Sequence, residues 1–282
     1  MAQVSEVSSN HGVVLEVKAG DLNHSTPNPV PQNNEDSGLC VSVPLVQKVI
    51  AELAGTYFLI FAGCSAIVVD IDKGNVVTLP GIAVAWGLVV MVLVYSIGHI
   101  SGAHFDPAIT VAFATCKRFP WKQVPAYISV QILGSTMASG TVRLIFNGKQ
   151  DHFAGSAPGG SEVQSLMVEF IITLFLMFVV SSVATDNRAV RELAGLVIGA
   201  AVTVNVLFAG TISGASMNPA RSLGPAIVWN HYKGLWIYLL GPTSGAVAGA
   251  WLYNLFRPTN MSLRDIMKTW SISRGTDPVC SV

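Results

Sequence analysis

Six runs dominated by apolar residues alternate along the chain with short polar connections, near 48–69, 79–98, 121–146, 165–184, 193–210 and 232–256. Each approaches or exceeds the roughly 20 residues that an α-helix needs to cross about 30 Å of hydrocarbon. The pattern therefore predicts six transmembrane helices. Two shorter apolar runs are left over, 106–116 and 218–229, one opening with Asp-Pro and the other with Asn-Pro. Runs of roughly 10 to 14 residues suit a re-entrant segment better than a full crossing, the alternative being a buried surface loop.

The short runs belong to a repeat. "SGAHFDPAIT" at 101–110 returns as "SGASMNPARS" at 213–222, "AELAGTYFLIF" around Glu52 is echoed by "VEFIITLFLMF" around Glu169, and "LGS" at 133–135 answers "SGA" at 244–246. Each half thus holds three helices and one re-entrant segment. Because three is odd, the halves must lie in opposite orientations, related by a pseudo-two-fold axis in the membrane plane. The expected fold is an all-α membrane protein: six transmembrane helices plus two re-entrant half-helices in an inverted 3+3 repeat. The channel domain is expected over 47–257, with repeat one at about 47–147 and repeat two at about 164–257, between a disordered tail over 1–46 and a polar C-terminal tail over 258–282.

Composition supports a membrane protein, at 51% hydrophobic against 11% charged residues. Formal net charge is zero, so nothing points to a nucleic-acid partner. The Pro/Asn-rich stretch "STPNPVPQNNEDSG" at 25–38 is too polar to bury the surface that would offset ordering entropy. A basic region followed by an apolar core and a cleavage site is missing, so the first apolar run is expected to act as the insertion signal. With the N-terminus in the cytosol, that side collects Lys18, Lys48, Lys117, Arg118, Lys122, Arg188, Arg191, Arg257, Arg264, Lys268 and Arg274. The outside keeps only Lys73, Arg143, Lys149 and Lys233, so the positive-inside rule puts both termini in the cytosol. The sequons at Asn23 and Asn260 are then not glycosylation sites. Cys40, Cys64, Cys116 and Cys280 show neither metal-ligand nor disulfide spacing and read as free thiols.

The doubled motif has a direct physical meaning. Asp106 and Asn218 can each cap the first N–H groups of a short helix, and Pro107 and Pro219 fit the first helical position, where the missing N–H is no loss. Ala108 and Ala220 follow. Two helices would then abut by their N-termini, each carrying roughly +0.5 of a charge, a barrier to protons and cations that neutral solutes pass. The irregular backbone leading to them is tolerated at membrane depth only where it is covered by protein or lines a wet cavity. Glu52 and Glu169 are ionisable groups in apolar spans; a role in holding the re-entrant loops is favoured over direct contact with solute. His99 and His104 flank the first motif and read either as pH sensors or, more commonly for such positions, as satisfied structural residues. No nucleophile with a base, no metal-ligand cluster and no phosphate-binding glycine loop is present, so neither an enzyme nor a cofactor is expected.

These residues resemble a major intrinsic protein, an aquaporin or aquaglyceroporin: two Asx-Pro-Ala motifs, the trailing Arg221 and the two glutamates. More narrowly, "GTYFLIFAGC", "VYSIGHISGAHF", "RFPWKQVPAY", "ATDNRAV", "ISGASMNPARSLGPA" and "GLWIYLLGP" are similar to the plant nodulin-26-like intrinsic proteins. The resemblance implies a passive channel for water and small neutral solutes such as glycerol, with ammonia, undissociated small acids and metalloid hydroxides as further candidates. It also implies a homotetramer in the lipid bilayer, with the plasma membrane favoured over an internal one. It assigns the selectivity constriction to Trp86, Val206, Ala215 and Arg221. On residue type alone Trp86 reads as a packing or lipid-facing aromatic, and Val206 and Ala215 carry no chemistry of their own. Family members are phosphorylated in the C-terminal tail, and Lys268, three residues before Ser271, makes Ser271 the candidate for a protein kinase.

One position departs from the family pattern, which has asparagine where this chain has Asp106. An ionised carboxylate only accepts hydrogen bonds, whereas the amide donates to a passing solute. A protonated Asp106 restores a donor; an ionised one puts a negative charge at the focus of the positive barrier. The alternative to an open channel is therefore a poorly conducting or pH-gated scaffold. A secondary transporter also uses inverted repeats, but would show saturable, ion-coupled uptake.

Overall fold

The computed structural model describes residues 43–146 and 152–257. The two tails, with Ser271, Lys268, Asn23, Asn260, Cys40 and Cys280, lie outside the described residues. The helices are α1 (Val43–Asp72), α2 (Thr78–Ser101), α3 (Pro107–Thr115), α4 (Val124–Ile145), α5 (Glu162–Thr185), α6 (Ala194–Ser213), α7 (Pro219–Trp229) and α8 (Leu235–Asn254). The first helix begins at Val43, ahead of the expected domain start at 47, because the apolar run Val43–Pro44–Leu45–Val46 already precedes Lys48.

Among the described residues, α1, α2, α5, α6 and α8 are long and apolar enough to cross a membrane. The sixth expected span, α4, is 22 residues long but more polar, and several of its polar side chains bond inside the protein. Gln131 donates to Glu52 at 2.9 Å, Ser135 to the Ala220 carbonyl at 2.6 Å and Ser139 back to the Ser135 carbonyl at 2.8 Å. A helix that crosses lipid tolerates such groups when each finds a partner within the bundle.

The halves match element by element. In the first, α1 packs on α2 and α4; in the second, α5 packs on α6 and α8. The half-helices cross over, α3 lying against α8 and α7 against α4, so each half completes the other. Packing in lipid depends on close backbone approach, which small residues permit. A Cβ on Gly134 of α4 would stand 2.7 Å from the Leu53 carbonyl oxygen, and one on Gly245 of α8 only 2.3 Å from that of Phe170. These are the glycines of the repeated "LGS" and "SGA". Across the halves, Gly87 of α2 and Gly199 of α6 face each other, a Cβ on either lying 2.5 Å from the other's carbonyl oxygen.

The C-terminal end of α5 is closed by polar side chains outside the span. Asp186 accepts from Arg188 Nη2 at 2.7 Å, from Arg188 Nε at 3.0 Å and from the Tyr253 hydroxyl at 2.9 Å. The Arg188 bonds hold the Asp186 carboxyl below the usual carboxylate range.

Candidate pore and its constriction

Both short helices start as their sequences predict. Asp106 is extended at φ −151° and accepts from the Ala108 N–H at 2.7 Å; Asn218, at φ −145°, accepts from Ala220 N–H at 2.8 Å and Arg221 N–H at 3.2 Å. The approach to each cap is unusual. Gly102, Ala103 and Phe105 have φ of 91°, 51° and 51°, and Gly214, Ala215 and Met217 have 81°, 44° and 56°. Left-handed backbone at a residue other than glycine costs roughly 1 to 2 kcal/mol, so the loops must be held from outside.

The two buried glutamates supply that hold. Glu52 Oε1 accepts from Ser101 Oγ at 2.7 Å and His104 N–H at 2.9 Å, and Oε2 from Phe105 N–H at 2.7 Å and Gln131 at 2.9 Å. Glu169 repeats the pattern with Ser213 Oγ at 2.7 Å, Ser216 N–H at 2.8 Å and Met217 N–H at 2.8 Å. Tyr127 donates to the Ser101 carbonyl at 2.9 Å and Tyr238 to that of Ser213 at 2.7 Å, locking the helix ends before each loop. Neither glutamate is among the residues that line the cavity.

Trp86, Val206, Ala215 and Arg221 line one cavity together with Asp106 and Asn218. Arg221 is only 5% exposed, its guanidinium carbon stands 4.7 Å from the centroid of the Trp86 ring, and it donates to the Gly214 carbonyl at 3.0 Å and to Ser156 Oγ. A buried guanidinium that still faces a cavity presents further donors to whatever enters it. Between the helix starts, Asn218 Nδ2 donates across the junction to the Phe105 carbonyl at 2.8 Å. The residue at the matching position of the first motif is Asp106, whose side chain has an oxygen where asparagine has its amide nitrogen.

His104 and His99 part company. The His104 ring bonds Thr110 Oγ1 at 3.1 Å and packs within 5.3 Å of the Phe113, Phe119 and Tyr127 rings, a structural placement. His99 is exposed on α2 and is absent from the cavity lining. Sequence reading missed Ser156, which bonds Arg221 and accepts from Ser222 at 2.8 Å, because it lies in a loop 65 residues away. It also passed over Tyr127 and Tyr238. Their occurrence at matching places in the two halves was the available signal.

An all-helical, multi-pass membrane protein whose two half-helix starts line one cavity has the architecture of a channel. The chain belongs to the major intrinsic protein family, whose model matches residues 40–253. It is 61% identical over 243 residues to "Aquaporin NIP1-1" of Oryza sativa subsp. japonica, covering 86% of both chains. It is 57% identical over 235 residues to "Nodulin-26" of Glycine max, covering 83% of this chain and 87% of that one. Its fold matches the X-ray structure of the aquaglyceroporin from Plasmodium falciparum with a TM-score of 0.69 at 24% identity, over 74% of this chain and 96% of the other. The chain is therefore an integral membrane channel for water and small neutral solutes, and not an enzyme.

Proposed function

We propose that this channel conducts both water and glycerol-sized neutral polyols through a constriction formed by Trp86, Val206, Ala215 and Arg221. The observation that carries this reading is the pairing of a buried arginine with an indole in the lining of one cavity, which small apolar side chains also line. Arg221 donates to solute hydroxyls and repels cations, while Trp86 offers an apolar face to a carbon backbone. Val206 and Ala215 leave room for that backbone. The motifs Asp106-Pro107-Ala108 and Asn218-Pro219-Ala220 add the positive half-helix ends that disfavour protons. Ammonia, undissociated small acids and metalloid hydroxides share the chemistry of small, neutral hydrogen-bonding solutes. Both termini are cytoplasmic, on the distribution of basic residues. The working unit is a homotetramer with one pore per subunit in the plasma membrane, and Ser271 in the C-terminal tail is the kinase site.

Val206→His tests the constriction. It adds bulk and a polar group, and proteoliposomes are expected to lose glycerol permeability while retaining water permeability. Equal glycerol permeability in the two proteins would remove Val206 from the constriction. A restricted, pH-dependent pore or scaffold is the second reading, favoured by one feature: Asn218 spends an amide N–H across the junction, whereas Asp106 in its ionised form has none to give.

A further inference from the structure

We propose that Gly63 of α1, which does not itself line the cavity, sets the width of the constriction by letting the Trp86 indole lie flat against the α1 backbone. The inference rests on the constriction reading above. Gly63 is buried, and a Cβ placed on it would stand 2.3 Å from Cε2, 2.3 Å from Cζ2 and 2.4 Å from Cη2 of Trp86. Three adjacent ring atoms at nearly equal distance mean that a methyl group would land on the face of the six-membered ring rather than at its edge. A real contact cannot close to that distance, so something must move.

The geometry determines what moves. On one side is the backbone of a 30-residue helix. On the other is a rigid indole whose Nε1 has no hydrogen-bond partner among the described residues, so packing alone fixes its position. Trp86 lines the cavity and Gly63 does not, which makes displacement away from α1 displacement into the cavity. Arg221, with its guanidinium carbon 4.7 Å from the ring centroid, stands in the same space. Glycine at 63 is thus a positioning residue for solute size. Any side chain there narrows the pore without touching a solute.

Stopped-flow light scattering on proteoliposomes tests this with wild type, Gly63→Ala, Trp86→Phe and the Gly63→Ala/Trp86→Phe pair. Gly63→Ala is expected to cut glycerol permeability about tenfold while water permeability stays within about twofold. The double variant, whose smaller ring leaves room for the methyl group, is expected to regain glycerol permeability. Wild-type glycerol permeability in Gly63→Ala would overturn the proposal and leave the constriction reading standing. A double variant that stays closed to glycerol would also overturn it, by assigning the loss to α1 packing. Wild type closed to glycerol would overturn the constriction reading and this proposal together.

Discussion

Position 106 differs from asparagine by one side-chain atom, an oxygen in place of the amide nitrogen. An asparagine there would offer the twofold counterpart of the Asn218 bond to Phe105; the aspartate offers that donor only with a proton on it. Asp106→Asn removes the titratable group at this position and is therefore expected to flatten any pH dependence that wild-type water and glycerol permeability shows between about pH 5 and 8. Identical pH profiles in the two proteins would show that Asp106 does not control permeation. At Glu169, replacement by glutamine sets an amide donor against protein N–H and O–H donors. That should cost about 1 to 3 kcal/mol, read as a lower melting temperature in detergent. The motif residues and glutamates were legible because each is chemically out of place in an apolar run and each occurs twice. Ser156 and Gly63 were not. A serine in a loop and a glycine in a helix acquire meaning only from the arginine and the indole that the fold brings against them.

Among elements, the helix contacts divide glycines into those with room for a side chain and those without. Gly245→Val is expected to separate α8 from α5, because its Cβ would stand 2.3 Å from the Phe170 carbonyl oxygen. Loss of a monodisperse peak in size-exclusion chromatography reads that outcome. Gly140→Ala on α4 is expected to be silent in the same assay, since nothing lies within 4 Å of its Cβ position. The end of α5 gives a pH prediction with a definite sign. Asp186 is held below its ordinary pKa by Arg188, so its contribution to stability is present above about pH 4 and lost as pH falls through the lowered value. Asp186→Asn should melt lower than wild type near neutrality, and the gap should close on acidification. A gap that persists unchanged at low pH would deny the ion pair this role. Six long helices and two short ones were legible from run length alone. The polarity of α4 was the exception, explained only once Gln131 and Ser135 were seen bonded to Glu52 and to the second half-helix.

The whole molecule depends on both halves at once. The first half-helix, α3, packs on α8, the second, α7, packs on α4, and Asn218 at the start of α7 donates to the Phe105 carbonyl just ahead of α3. Formal net charge is zero, so in the proposed constriction the field comes from local features, the Arg221 guanidinium and the half-helix ends. Repetition in the sequence made the inverted arrangement readable, since an odd number of crossings per half permits no other. It could not show which side chains line the cavity, which depends on ring placement and loop contacts from distant segments. The measurement that tests the account most directly is stopped-flow light scattering of proteoliposomes, paired with current recording across bilayers containing the same protein. The expected result is water and glycerol permeability well above empty vesicles, weakly dependent on temperature and not saturable, with no ionic current. Background permeability to both solutes from monodisperse, thermally stable protein, or a sustained cation current, would contradict it.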